Sequence, residues 1–307
     1  MAAILRKELA DYFTSIRFVI LLLLTFFVSA FGLVAAAQGI RGANLPEGIV
    51  FLGLFTTPGS IIPPLTYLVS LLVPLIGIAL GFDAINSERA GGTLSRIMAQ
   101  PIFRDSVING KFLAGVVTLS IMVGTMLLLI SGYGLKMIGV LPTAEEIIRL
   151  FLYLFFTIIY GAFWLGLAIL FSIIFRRVAA SLLLLLALWL FFSIFILPVA
   201  MGIANVIAPT AEASVAELIR NAELQQIIQR FSPNILFQEA TTVLLVPSVR
   251  SLGMVAQSQA AYMIPNPLSL GQSIILVWPH LTSLVSLSAV CFAISYVLFM
   301  RQEIRAT

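Results

Sequence analysis

The chain has 307 residues, of which 61% are hydrophobic and 10% are charged, and its formal net charge is +4. A soluble domain carries about 25% charged residues, so this composition excludes a soluble globule of this size and indicates a protein surrounded mostly by lipid. The small net charge gives no reason to expect nucleic-acid binding. The single cysteine, Cys291, excludes an intrachain disulfide and a multi-cysteine metal site.

The first predicted element is an amphipathic helix over Ala2–Ile16, within an interfacial segment that covers residues 1–17. One face is apolar and the rest is polar: Ile4, Leu5, Leu9, Tyr12, Phe13 and Ile16 against Arg6, Lys7, Glu8, Asp11 and Thr14. This pattern is typical of a helix that lies on the inner surface of a membrane. The alternative is a charged tail before a membrane anchor, and the aromatic residues on the apolar face argue against it.

Six apolar segments follow, each long enough for the roughly 20 residues that cross a bilayer. They are Phe18–Ala37, Thr66–Phe82, Leu113–Leu135, Ile147–Phe175, Val178–Ile207 and Ser273–Met300. We expect the first to be retained rather than cleaved, because its apolar run is longer than a usual signal-peptide core. Pro198 removes a backbone donor late in the fifth segment, so we expect a kink there.

The basic residues set the orientation. With both termini in the cytoplasm, eleven of the 17 basic residues lie inside, in agreement with the positive-inside rule. These are Arg6, Lys7, Arg17, Arg89, Arg96, Arg104, Lys111, Arg176, Arg177, Arg301 and Arg305. We therefore expect a multi-pass protein of the plasma or inner membrane with two cytoplasmic termini.

The cytoplasmic loop over residues 83–112 is the longest stretch dense in charge. We expect the second membrane helix to continue through Asn86, the backbone to turn at Gly91 and Gly92, and a short helix to run from Leu94 to Ala99. Thr93 is its predicted cap, and Pro101 ends it. Its apolar face (Leu94, Ile97 and Met98) is flanked by charge (Glu88, Arg89, Arg96 and Arg104), which suits insertion into a groove on a partner. The alternative is a solvated, positive loop that only sets topology.

The two longest outer regions are predicted to differ in how much regular structure they contain. Gln38–Leu65 is rich in glycine and proline, so we expect it to be irregular. Residues 208–272 form the largest extracytoplasmic region, with an amphipathic helix over Ala213–Phe231. Ser232 and Pro233 then cap and begin a second helix that ends near Pro247. Ile235–Val246 is too short to span, so it dips into the outer leaflet or packs on the bundle. We expect the whole region Ala208–Gln272 to form a lid over the outer mouth.

The sequence lacks the residue patterns that several classes of membrane protein require. No core of a span contains an acidic or basic residue, which disfavours an ion-coupled carrier or a proton pump. We expect His280, near the outer end of the last span, to be an interfacial residue rather than a metal ligand. No nucleophile is accompanied by a second catalytic group in the spans, so we do not expect an enzyme. Gly110-Lys111 is not a nucleotide-binding loop, because Asp105 replaces the required glycine and Phe112 follows the lysine.

The cytoplasmic loop resembles that of ABC-2-type permeases, the membrane subunits of ATP-binding-cassette exporters. The matching residues are, in order, Asp83, Glu88-Arg89, Gly92-Thr93-Leu94, Pro101, Arg104 and Gly110-Lys111-Phe112. Matches outside the loop are Arg6-Lys7-Glu8-Leu9, the basic turn Arg176-Arg177, Ser232-Pro233-Asn234 and Glu303-Ile304-Arg305. The resemblance covers essentially the whole chain. It implies one ABC-2-type transmembrane domain over residues 1–307, all-α, with six membrane helices.

The resemblance also implies partners and roles. In that family the loop is a coupling helix that docks on a separate cytoplasmic ABC ATPase, which holds ATP and Mg, and two membrane subunits work as a homodimer or heterodimer. The implied coupling residues are Glu88, Arg89, Gly92, Thr93, Leu94, Arg96, Ile97, Met98, Pro101, Arg104 and Lys111, with Arg176 and Arg177 in a second cytoplasmic turn. The transport path runs between the second and fifth helices of the two subunits. Gly77, Gly81 and Pro198 therefore either line that path or serve helix packing.

Two other function classes stay open. One is a channel or carrier that works without ATP, and the absence of polar residues in the spans argues against it. The other is a membrane anchor that does not transport but transmits force or assembles a complex with an ATPase. The long outer region departs from the shortest family members, so the resemblance does not extend to a substrate.

Overall fold

The computed structural model of the chain describes residues 1–42, 51–94, 103–139, 141–210, 214–250, 252 and 267–301. All regular elements among these residues are helical. They are α1 (Ala2–Thr14), α2 (Ile16–Gly42), α3 (Gly53–Thr56), α4 (Leu65–Gly81), α5 (Asn86–Ala90), α6 (Arg104–Ile138), α7 (Ala144–Ile174), α8 (Val178–Leu190), a π-helical segment (Phe191–Phe195), α9 (Ile196–Ile207), α10 (Val215–Gln229), α11 (Pro233–Leu245) and α12 (Leu270–Arg301). Six stretches are long and apolar enough to cross a membrane: α2, α4 with α5, α6, α7, α8 through α9, and α12. The predicted all-α fold with six spans is confirmed.

The fourth span, α7, is the centre of the bundle. In its most apolar stretch 72% of the residues are buried, and it packs against the second and sixth spans. The second span approaches it closely at two glycines. A Cβ atom on Gly77 would lie 2.8 Å from the carbonyl oxygen of Gly161, and one on Gly81 would lie 2.7 Å from the Cβ of Ala168. Gly77 and Gly81 thus permit close packing of the second span on the fourth, and a role in lining a transport path stays a prediction.

A proline inside the second span is accommodated by a side chain from α7. Pro74 has no N–H, so the carbonyl of Ser70 loses its usual partner one turn later. The hydroxyl of Tyr160 donates a hydrogen bond to this carbonyl at 3.0 Å, and the Tyr160 ring stacks on Phe237 of α11 with 4.5 Å between ring centroids. A polar backbone group in the core is thus satisfied by another helix.

The fifth span lies at the periphery and is irregular. Only 11% of the residues in its most apolar stretch are buried. The irregularity that the sequence predicts at Pro198 takes the form of the π-helical segment Phe191–Phe195, which ends three residues before the proline.

The end of the second span and the start of the third span differ from the prediction. Helix α4 ends at Gly81, and Phe82–Ile85 form turns before α5 begins, so the predicted continuation through Asn86 is wrong. The break is stabilised by Ser172 of the fourth span, whose hydroxyl accepts hydrogen bonds from the backbone N–H groups of Ile85 and Asn86 at 2.8 and 3.1 Å. The third span begins at Arg104, nine residues earlier than predicted.

The glycine- and proline-rich outer stretch is more ordered than predicted where the structure describes it. Helix α3 packs into the core, with Phe51, Leu52 and Phe55 at most 2% exposed. Glu146 holds its start, because Oε1 accepts hydrogen bonds from the N–H groups of Phe51 and Leu52 at 2.9 and 3.3 Å. The other oxygen of Glu146 completes a capping box at the start of α7.

The two outer helices differ in burial. The side chain of Ser232 accepts a hydrogen bond from the N–H of Ile235, Pro233 stands at the helix start, and α11 packs against the second, fourth and sixth spans. The predicted packing of this helix on the bundle is confirmed. In α10 the apolar side chains of Val215, Leu218 and Ile227 are exposed, and Asn221 is the buried residue.

Candidate coupling site at the cytoplasmic face

The structure describes about two thirds of the predicted coupling residues. Glu88, Arg89, Gly92, Thr93, Leu94, Arg104 and Lys111 belong to described segments, whereas Arg96, Ile97, Met98 and Pro101 lie outside the described residues. The site is therefore built from α1, α5, the turn that follows α5, and the first two turns of the third span.

Four charged side chains form an inner ion cluster: Lys7, Glu8, Glu88 and Lys111. The Lys111 ammonium lies between two carboxylates and donates hydrogen bonds to Oε1 of Glu8 at 3.0 Å and Oε1 of Glu88 at 2.8 Å. Lys7 extends the cluster, with its Nζ 3.2 Å from Glu8 and 3.7 Å from Glu88. Lys111 is 4% exposed and Glu8 is 7% exposed. The cluster joins α1, α5 and the third span.

The burial of Glu8 corrects the predicted orientation of α1. The sequence pattern places Glu8 on the polar face, yet Glu8 turns toward the bundle, because Lys111 supplies a buried counter-charge there. A charge is stable in such a place only when it is paired and hydrogen-bonded. The apolar residues Ile16 and Phe13 are exposed instead, at 71% and 40%.

Two further contacts fix α1 against the spans. Gly110 lets α1 approach the third span, since a Cβ atom there would lie 2.8 Å from a side-chain carbon of Ile4. The Tyr12 hydroxyl donates a hydrogen bond to the carbonyl of Leu80 at 2.8 Å. Burial, and then the nearby carboxylates of Glu8 and Asp83, raise the pKa of Tyr12 above its ordinary value, so the hydroxyl keeps its proton and remains a donor. Helix α1 is thus part of the bundle's inner face.

The turn after α5 agrees with the prediction in one respect and differs in two. Gly92 has a φ of +67°, a conformation that favours glycine. Thr93 is already helical, and its hydroxyl donates back to the carbonyl of Glu88 at 3.2 Å rather than capping the next helix. Leu94 is 2% exposed and belongs to the hydrophobic core. The expectation that Leu94 fills a groove on a partner is therefore wrong, as is the pairing of Glu88 at its rim.

Arginines from separate segments lie at the same end of the bundle as the inner ion cluster. Arg89 lies close enough to Arg176 for their positive charges to repel each other. Arg176 and Arg177 are exposed at the start of α8. Arg104 donates to the carbonyl of Met300, at the end of the last span, at 3.4 Å. This end of the bundle therefore carries a positive surface over a buried ion cluster.

A second polar cluster, here called the outer arginine cluster, lies on the opposite side of the bundle. Its centre is Arg149, which is 1% exposed. The guanidinium donates hydrogen bonds to Oε1 of Glu145, to the hydroxyl of Ser273, and to the carbonyls of Leu244 and Leu268, at distances of 2.8–3.1 Å. It thereby joins the start of the fourth span to the end of α11 and the start of the sixth span.

His280 has an acidic neighbour that the sequence does not reveal. Its Nε2 lies 2.7 Å from Oε2 of Glu239, and the same oxygen accepts a hydrogen bond from Nε of Arg230 at 2.9 Å. Burial opposes the charged form of Glu239, but the hydrogen bonds from His280 and Arg230 outweigh it and lower the pKa of this carboxyl. His280 therefore has a carboxylate partner, and its assignment as an interfacial residue rather than a metal ligand stays a prediction. No group of three potential metal ligands occurs among the described residues.

Sequence reasoning missed Glu8, Arg149, Ser172 and Glu239 as structural partners. Each contacts a residue that is far away in the sequence; for example, Ser172 and Ile85 are 87 positions apart. The available signal was Arg149, a charged residue inside an otherwise apolar helical pattern, because such a residue requires a paired partner when it is buried. Glu8 gave no such signal, since it belongs to a charged helical face.

Comparison with known proteins agrees with this arrangement. The family described as ABC-2 family transporter protein matches residues 2–304. The chain is 31% identical to the probable ABC transporter permease protein NosY of Pseudomonas aeruginosa over 147 residues, which are 47% of this chain and 46% of that protein. It is 33% identical to the protein of the same name from Stutzerimonas stutzeri over 126 residues, 39% of this chain and 41% of that protein. The matched regions thus cover less than half the length of these curated relatives. The family match spans nearly the whole chain, and the chain belongs to the ABC-2 family of transporter proteins.

Proposed function

We propose that the chain is the permease subunit of an ATP-driven ABC exporter, bound to a separate cytoplasmic ATPase and paired with a second permease subunit. The observation that carries the proposal is the inner ion cluster. It attaches α5, the segment directly before the predicted coupling helix, to α1 and the third span through Lys111. A displacement of the cytoplasmic loop by the ATPase would therefore be transmitted to the membrane helices through paired, buried charges.

Two further contacts connect the loop to the bundle. Ser172 holds the N–H groups of Ile85 and Asn86, and Leu94 is anchored in the core. Because packed elements tend to switch between discrete arrangements, closure of the ATPases would shift α5 and the third and fourth spans together. The partner would contact the surface that Arg89 and Arg176 share, together with Ile97 and Met98 of the predicted coupling helix.

Replacement of Ile97 and Met98 together by aspartate should uncouple the ATPase. Two carboxylates cannot enter an apolar groove without a large desolvation penalty, so we expect the ATPase that co-purifies with the natural chain to be lost, or its permease-stimulated hydrolysis to fall at least about tenfold. The measurement is co-purification and ATP hydrolysis in lipid nanodiscs.

The matched control is Ile219→Asp, which places the same charge on a partly exposed residue of the outer helix α10 and should change neither quantity. Full ATPase binding together with unchanged stimulation in the Ile97, Met98 double variant would contradict the docking proposal. The alternative function, an ATPase-bound anchor that does not transport, predicts the same loss of binding. It differs in that the intact complex in vesicles would move no solute when ATP is added.

The proposed orientation can be tested by labelling single cysteines in a Cys291→Ala background. Ser87 on α5 and Glu223 on α10 are both exposed. We expect an impermeant thiol reagent to modify a cysteine at position 223 in intact cells, and one at position 87 only after the membrane is opened. Labelling of position 87 from outside would overturn the assignment of both termini to the cytoplasm.

A further inference from the structure

The fifth span contains a local irregularity of the kind that often marks a moving part. The π-helical segment Phe191–Phe195 interrupts the span, and Pro198, one turn later, has no N–H to offer to the carbonyl of Ile194. Kinks in long helices arise at such places, and single-turn π segments occur frequently at functional sites. An interrupted ladder also leaves carbonyl oxygens that can accept hydrogen bonds from elsewhere.

A carbonyl of the π-helical segment accepts a hydrogen bond from a residue between the fifth and sixth spans. The hydroxyl of Ser232, which is fully buried, donates a hydrogen bond to the carbonyl of Phe192 at 2.8 Å. The same oxygen accepts the N–H of Ile235 and so caps α11. A serine hydroxyl can do both at once, because it has one proton to donate and lone pairs to accept with. Ser232 therefore belongs to α11 and to the fifth span at the same time.

The two elements that Ser232 joins differ in how firmly they are held. Helix α11 is buried against the second, fourth and sixth spans, and Arg149 binds the carbonyl of Leu244 near its end. The fifth span is mostly uncovered, and its outer part, α9, packs mainly on α10. The contact at Phe192 thus connects a firmly held helix to a weakly held one at the point where the latter is irregular.

We propose that Ser232 is a positioning residue for the fifth span. Its hydroxyl fixes the bend between α8 and α9 relative to α11, and the π-helical segment is the hinge about which α9 turns. One hydrogen bond in an apolar surrounding changes the ratio of two conformers by about fivefold. The Ser232 hydrogen bond can therefore stabilise the bend and still break during a transport cycle. The inference deepens the proposed function, since movement of the fifth span would be part of switching.

The test is a distance measurement across the hinge. Nitroxide labels replace Leu183 and Val206, which are 67% and 82% exposed, in a Cys291→Ala background in nanodiscs. The positions are separated by 23 residues, or about 35 Å in a helix, which suits pulsed electron paramagnetic resonance. We expect a narrow distribution of label-to-label distances for the natural chain and an approximately twofold broader distance distribution for Ser232→Gly. Glycine keeps most of the capping stability but has no hydroxyl, whereas Ser232→Thr should restore the narrow distribution.

The matched control is Ser214→Gly, which makes the same change at the cap of α10, where the hydroxyl bonds to Glu217 of that helix, and should leave the distribution narrow. If Ser232→Gly does not purify as a monodisperse protein, Ser232→Ala takes its place with the same expectation. A distribution as narrow as that of the natural chain would overturn the proposal, as would equal broadening in the Ser214 control. The measurement needs no ATPase, so it can fail while the docking proposal stands, and the reverse is also possible.

Discussion

Lys111→Met should lower the free energy of unfolding by about 3–5 kcal/mol, because it leaves two buried carboxylates without their shared counter-charge. The Lys111 ammonium lies within 3.0 Å of both Glu8 and Glu88 and is 4% exposed. Lys7 cannot replace it, since its side chain is half exposed and contacts the carboxylates from the solvent side. The measurement is the unfolding midpoint in mixed micelles, together with proteolysis of α1, which we expect to become detached.

Two comparisons make this result specific. Lys136→Met changes the same residue type at an exposed position on the same helix and should cost less than about 0.5 kcal/mol. A triple variant with Lys111→Met, Glu8→Gln and Glu88→Gln should regain most of the lost stability, since replacement of a whole buried ionic group is often nearly neutral. That triple variant should nevertheless couple poorly to the ATPase if the ion cluster transmits movement. A stable Lys111→Met chain with α1 still protected would contradict the role of the cluster.

The sequence predicts the number of spans, their order and the outer capping residues, because these depend on local patterns. Long runs of apolar side chains indicate membrane-spanning helices directly, and Ser232-Pro233 indicates a helix start through the chemistry of two adjacent residues. The bounds of the fifth span, Val178–Ile207, agree with the structure for this reason. Gly91-Gly92 likewise predicts a turn, and Gly92 adopts a left-handed conformation.

The polar clusters could not be predicted because each depends on the packing of helices that are distant in sequence. Glu8 falls on a polar helical face by periodicity, and only the approach of α1 to Gly110 shows that Lys111 lies there. Leu94 has the spacing of a docking face, yet the turn at Phe82–Ile85, which Ser172 holds, leaves Leu94 in the core. Whether a helical apolar face meets a partner or its own bundle is a tertiary question that periodicity does not decide.

Arg149→Met should have an effect of similar size on the opposite side of the bundle. The substitution leaves the carbonyls of Leu244 and Leu268 and the hydroxyl of Ser273 without the donor that the guanidinium supplies. Each unsatisfied buried polar group costs about 1–3 kcal/mol, so we expect a total loss of about 3–5 kcal/mol. Hydrogen exchange should locate the change, with faster exchange in α11 and the first turn of α12 and no change in α1.

The substitution Arg149→Lys distinguishes the effect of the positive charge from that of the shape of the guanidinium group. Arg149→Lys keeps the positive charge next to Glu145, but an ammonium group cannot reach the carbonyls of both Leu244 and Leu268 as the planar guanidinium does. We therefore expect Arg149→Lys to lose most of what Arg149→Met loses. Arg220→Met, at an exposed position of α10, is the control and should leave exchange in α11 unchanged. Full protection of α11 in Arg149→Lys would show that charge alone anchors the outer helix. Loss of protection would mean that the guanidinium itself holds α11 in place, and with it the fixed end of the Ser232 contact to the fifth span.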